Sequence, residues 1–385
     1  MTARKLRAAM TAFLLATASA GAVLALAAPA QAQSVRAVVG KPLSEAQALA
    51  QQKNWRAAMA KVNEAEAAAN KTAAESQVIA QMKNYIAVNS GDASIGGVVA
   101  LRAKMAKDYL AKNYREVIAS ADQIRKMDRL TGVESQLVAQ SYFLAGDKPG
   151  CQRYIKAAYG SNAPDAVLEI LMRCAYDNND EAVQRETLET LISHNPKPEY
   201  WKSLLKLSER QQGMRDPNTL DIYRLKLLTG SMESKDDYIT LAQLALQLGF
   251  ASEAQAAIQK GQAAFKELND ARTNKLLSVA QQQAGADAAA VAANIAKAKT
   301  APDGEQLIKL GQQQIGQGKA GDAIATIQAG LAKTLKDKGD GQVRLGMAQY
   351  YAGQKGDAVK TFNAVKSTDS KVTTIAHLWS LAARR

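Results

Sequence analysis

The chain has 385 residues, 47% of them hydrophobic but only 5% aromatic, and a formal net charge of +13. Its Ala, Leu, Gln, Lys and Glu favour helix, and the absence of alternating β-branched runs excludes a strand-built fold. Two cysteines and two histidines exclude a disulfide-dense scaffold and a multi-histidine metal centre.

At the N-terminus Arg4, Lys5 and Arg7 precede an apolar stretch from Ala8 to Ala28, and Pro29 breaks it just before Ala30-Gln31-Ala32. That order predicts a secretory leader over residues 1–32, cleaved after Ala32, and a periplasmic mature chain. An uncleaved membrane anchor is the alternative. No cysteine follows the cleavage site, which argues against a lipoprotein, and Arg4-Lys5 is not a twin arginine. Removing Arg4, Lys5 and Arg7 lowers the net charge from +13 to +10. No later segment reads as a membrane span. The remaining cations stand singly, as at Lys202, Lys206 and Arg210, with no run of five. Such scatter suits solubility or an anionic envelope surface, and it carries no nucleic-acid signature.

After a short linker at 33–42, the chain reads as successive helices punctuated by turns. Lys53-Asn54-Trp55 leads to Ala58, Val62 and Ala65. Pro149 and Pro164 stand where helices begin, and Asn179-Asp180 opens a unit that ends at Pro196. Pro217 marks another helix start. Gly249-Phe250-Ala251 leads to Ala254, Ile258 and Gly261, and Gly318-Lys319-Ala320 to Ala323, Ile327 and Gly330. Gly353-Gln354-Lys355 leads to Ala358, Phe362 and Val365. Leu310-Gly311 and Leu345-Gly346 lie at a fixed offset upstream of the last two turns.

These offsets resemble the 34-residue unit of tetratricopeptide (TPR) proteins over roughly residues 40–366. The register departs at 70–112, around Gly91, Gly96 and Gly97, and at 197–230, where Gln211 to Arg215 make a long turn before Asp216-Pro217. The stretch from Pro198-Glu199-Tyr200-Trp201 through Asp221 to Leu227 is also similar to a group of exported bacterial TPR-like proteins. The resemblance implies an all-α fold, a right-handed α-solenoid of antiparallel helix pairs. It divides into degenerate repeats at 43–130, central repeats at 131–230, C-terminal repeats at 231–366 and a capping helix at 367–385. In that register Gly311, Gly346, Ala323 and Ala358 sit where paired helices cross closest, with Leu310, Ile327 and Phe362 filling the flanks. Trp379 and Leu381 would cover the last unit, and Arg384 and Arg385 would suit a helix C-terminus.

The same register brings Cys151, at the start of one helix, near Cys174, at the end of its neighbour. An oxidising compartment favours their pairing, and two separate buried thiols are the alternative. His194 and His377 fall several repeats apart, too far to share a catalytic or metal site. Asp177-Asn178-Asn179-Asp180-Glu181 lacks the glycine of a calcium loop and has Leu188 at its twelfth position. Glycine pairs such as Gly339-Asp340-Gly341 follow no strand, so they form no phosphate loop. No catalytic set, metal site or cofactor motif is legible. In TPR proteins the first helix of each unit lines a concave groove, which here implies Arg173, Tyr176, Gln243, Gln312, Arg344 and Tyr351. The expected function is therefore a non-catalytic scaffold for a protein or peptide partner in the cell envelope. A binder of an anionic polymer, peptidoglycan or lipopolysaccharide, is the alternative, and an enzyme without a recognisable motif is the third.

Overall fold

The computed structural model describes residues 35–385. The leader expected at 1–32 lies outside the described residues. All regular structure among the described residues is helical, and two compact units divide between Ser141 and Tyr142. The fold is an all-α solenoid: through most of each unit consecutive helices pack on one another.

The first unit contains α1 (Ala37–Gln51), α2 (Trp55–Glu66), α3 (Ala73–Ser90), α4 (Ala93–Leu110), α5 (Tyr114–Met127) and most of α6 (Gly132–Leu144). Helix α1 begins inside the segment expected to be a linker. Pro42 lies inside this helix, beyond its first turn. Val39 is fully buried, and that contact outweighs the lost backbone bond at the proline. Arg36 ties the helix down, donating from its backbone N and its guanidinium to the buried Glu75 at 2.9–3.0 Å. The register fault at 70–112 also has a physical cause. A Cβ at Gly96 would lie 2.6 Å from Ala87 Cα, so α3 and α4 touch nearly backbone to backbone, and Gly97 kinks α4 at φ 56°.

The second unit runs through α7 (Lys148–Tyr159), α8 (Asp165–Asp177), α9 (Glu181–His194), α10 (Pro198–Glu209), α11 (Asp216–Thr229), α12 (Lys235–Leu248) and α13 (Ala251–Ala264). Then come α14 (Ala271–Thr300), α15 (Glu305–Gly316), α16 (Ala320–Leu331), α17 (Lys338–Tyr351), α18 (Lys355–Asn363) and α19 (Ser370–Ala383). Helix α14 has 30 residues, about 45 Å, where a helix pair would fit the repeat. It buries a narrow stripe, Thr273, Ala280, Ala284, Val291 and Ala298.

The close crossings read from sequence are present. A Cβ on Gly311 would meet Ile327 at 2.3 Å, and one on Gly346 would meet the Phe362 ring at 2.5 Å. Ala323 and Ala358 are fully buried. Gly346→Leu should therefore destabilise the protein by about 1–3 kcal/mol through overpacking. A lowered urea midpoint would show it, and an unchanged midpoint would mean that the crossing has slack.

The largest departure from an open array is at the C-terminus. The expected capping helix is buried on several sides, including Leu378, Trp379, Ala382 and Ala383. Besides its chain neighbours α17 and α18, α19 packs on α11, which closes part of the second unit into a ring. Arg215 meets Asp369 at 3.0 Å and Gln211 donates to Ser370 at 3.2 Å. Arg385 donates to Pro196 O at 2.7 Å and lies over the Trp201 ring, rather than serving only the end of its own helix. The long turn at 211–215, irregular as a repeat, is thus the seat of the α19 N-terminus. Trp379 does cover the last pair, stacking on Phe362 with Tyr350 and Tyr351 edge-on.

His377 pairs with Glu189 at 3.0 Å across this closure. Its pKa is raised by the hydrogen bond it donates to Glu189, against burial and the nearby Arg384 and Arg185. A raised histidine pKa adds stability that is complete below its ordinary value of about 6.5 and fades as pH rises through the folded value. The pair is half-exposed, so the effect is small. The protection factors of α19, with the intrinsic pH dependence of exchange divided out, should fall modestly between neutral and mildly alkaline pH, and His377→Gln should abolish that fall. Equal pH profiles for the two proteins would remove the pair from the closure.

Candidate functional site

A groove of about 470 Å³ opens between α8 and α10, with α9 and Phe143 of α6 completing it. Helix α8 is fixed by Cys174, fully buried and disulfide-bonded to Cys151 of α7 with a Cα separation of 6.3 Å. With Cys174 held inward, Met172, Arg173 and Tyr176 border the groove, and Tyr176 keeps 65% of its surface exposed. Helix α10 buries Trp201, Leu204, Leu205 and Ser208. The opposite side of its cylinder therefore carries Lys202, Lys206 and Arg210 at i, i+4 and i+8. Leu188 and Leu207 contribute apolar surface.

The groove is electropositive. Four cations, Arg173, Lys202, Lys206 and Arg210, line it against one acid, Asp177. Asp177 is paired with Lys148 at 3.0 Å, and Lys202 with Glu233 at 2.8 Å. Arg173, Lys206 and Arg210 have no carboxylate partner among the described residues. Cations left unneutralised beside apolar and aromatic surface suit an anionic ligand that also has an apolar side.

The other residues expected in one continuous groove lie elsewhere. Gln243 lines a separate hollow of about 630 Å³ between α12 and α14. Its charges balance, Lys235, Arg272 and Lys275 against Asp236, Glu267 and Asp270, so it favours neither sign. Arg344 is 3% exposed and unavailable to a ligand. It donates to Asp221 at 2.5 Å and to Asp340 at 2.7 Å. Asp221, fully buried, also accepts from Arg224, which makes a bidentate bond to Glu253 at 2.6–2.7 Å. Gln312 joins the same cluster through Arg224 at 3.4 Å. Burial opposes charge on Arg224 and Arg344, yet the surrounding carboxylates outweigh it and hold both above the usual arginine range. Tyr351 retains 45% of its surface, but desolvation at its hydroxyl and the charge of Glu253 raise its pKa. The register assigns these side chains to an inner, partner-binding face. Pairing of Arg344 on α17 with Asp221 on α11 converts that face from a groove into a packed ionic core.

Asp221, Glu253 and Asp340 are each bonded to a guanidinium, an arrangement that joins helices rather than one poised for proton transfer. Among the described residues no group of three His, Cys, Asp or Glu side chains could hold a metal ion. No helix among them is long and apolar enough to cross a membrane. His194 meets Asp165 at 2.9 Å, tying the end of α9 to the start of α8.

No family model matches the chain, and no curated protein matches it significantly. Among solved structures it is similar to the crystal structure of the APC/C hetero-tetramer Cut9–Hcn1, at 14% identity and a TM-score of 0.23. The alignment covers 91% of this chain and 77% of that one. So low a score adds no weight to the fold, which rests on the helices themselves.

Proposed function

We propose that the chain is an exported, non-catalytic scaffold whose α8–α10 groove holds a segment of a protein partner in the cell envelope. The observation that carries this reading is the juxtaposition of unpaired Arg173, Lys206 and Arg210 with Met172, Leu207 and the exposed Tyr176. An exposed tyrosine beside charged donors gives contact area together with orientation, as interface cores do. The test is a photo-crosslinker at Tyr176 in intact cells producing the full chain. A discrete protein adduct, lost in Lys206→Glu/Arg210→Glu, is the expected result; no adduct at Tyr176 contradicts it.

The same unpaired cations favour a second reading, capture of an anionic envelope polymer. Its signature is co-sedimentation with cell-wall material that falls steeply with salt, because exposed charges are screened within about 10 Å at 0.1 M ionic strength. Persistent co-sedimentation at high salt would reject it.

A further inference from the structure

We infer that the groove's occupant is an acidic amphipathic helix, with Asp or Glu at i and i+4 set over Lys206 and Arg210. This rests on the protein-partner reading and deepens it. Lys202, Lys206 and Arg210 climb one side of α10 in steps of four residues, about 6 Å each along the axis. A second helix laid beside α10 repeats the same step, so acids four apart meet successive cations in register. The apolar stripe of the guest then lies against Met172, Tyr176 and the rim of Leu207, with Arg173 on the far bank. Lys202, already held by Glu233, marks one end of the free stripe.

The polar inventory of the groove selects a helix over an extended segment. An extended chain brings backbone N–H and C=O groups that need partners. The neutral polar side chains here are engaged: Ser203 Oγ donates to Glu199 O, and Gln184 Nε2 to Ala175 O. The one acid, Asp177, is paired with Lys148. Apart from the Tyr176 hydroxyl, what remains free is cationic or apolar, and a helix, which satisfies its own backbone, needs chiefly those two kinds of contact.

The experiment is fluorescence anisotropy with the mature chain, disulfide intact, and three synthetic peptides of one composition. The first carries Glu every fourth residue beside a leucine stripe. The second scatters the same residues around the helix, and the third breaks the helix with a central proline. The striped peptide is expected to bind at least about tenfold more tightly than either control, about 1.4 kcal/mol. Lys206→Glu/Arg210→Glu should weaken it by about tenfold or more, and a peptide with Lys in place of Glu should recover binding to that variant. Both positions are exposed, so unchanged melting would exclude misfolding. Equal binding of the scattered peptide, or tighter binding of the proline peptide, overturns the inference. Displacement of the striped peptide by cell-wall fragments from the same cations would assign the groove to a polymer and also overturn it. A protein adduct at Tyr176 in cells, with no binding of the striped peptide, would sink the helix while leaving the partner reading intact.

Discussion

Asp221→Ala should destabilise the second unit by about 3 kcal/mol and release α19, seen as faster hydrogen exchange in α19 and α11. Asp221 is fully exposed to neither water nor lumen; it is buried, and one of its oxygens accepts from Arg224 of its own helix and from Arg344 of α17. Removing one partner of a buried ion pair costs about 3–5 kcal/mol, because the remaining charge loses its compensation. The lower end applies here, since Arg224 keeps Glu253 and Arg344 keeps Asp340. Arg344 Nε has no hydrogen-bond partner among the described residues, so little reserve exists in the network. Replacing Asp221 and Arg344 together with apolar residues of similar volume should recover part of the loss, as it removes the desolvated charges along with the bond. Wild-type exchange in α19 after Asp221→Ala would show that the cluster does not hold the closure.

Replacing both Cys151 and Cys174 with serine should cost about 3 kcal/mol on the chain-entropy account. The two residues are 23 apart in sequence, and both are fully buried. The loss should centre on α7 and α8, so the groove residues Arg173 and Tyr176 would lose their rigid seat. Denaturant unfolding of the double variant, read beside exchange in α8, measures this. Stability equal to the disulfide-bonded protein would mean that the bond adds nothing to the fold. Because both sulfurs are buried, mild reductant should act only after local unfolding.

The parts of this fold that sequence disclosed are those set by neighbours in the chain. Gly311 faces Ile327 and Gly346 faces Phe362, separations of half a repeat, and both crossings follow from the register alone. The cysteine pairing follows from adjacent helices in the same way. Closure by α19 was hidden because it joins residues more than a hundred positions apart, as at Arg215 and Asp369. No local period encodes such a contact. A sequence sign did exist: Asp221 and Arg224 are charged residues interleaved with Leu220, Ile222 and Leu225 of α11, where burial demands partners from elsewhere.

The groove was half legible. Arg173 and Tyr176 were placed by register, whereas Lys202, Lys206 and Arg210 read as isolated charges because no two are adjacent in sequence. Their spacing of four is the missed signal, since a helix turns separate cations into a stripe. Gln312, Arg344 and Tyr351 were assigned to an open face because the family pattern has no returning helix. Burial of Arg344 in the ionic core, with Gln312 beside it, is a consequence of α17 reaching α11, whereas Tyr351 stays partly exposed.

Closure of the second unit is tested most directly by thiol cross-linking between Gln211→Cys and Ser370→Cys in the otherwise native chain. Their side chains lie within hydrogen-bond reach, 3.2 Å, although 159 residues separate them. A short bifunctional maleimide should join them within one molecule, nearly to completion and independently of protein concentration. Absent or purely intermolecular cross-linking would contradict the returning helix and restore an open inner face.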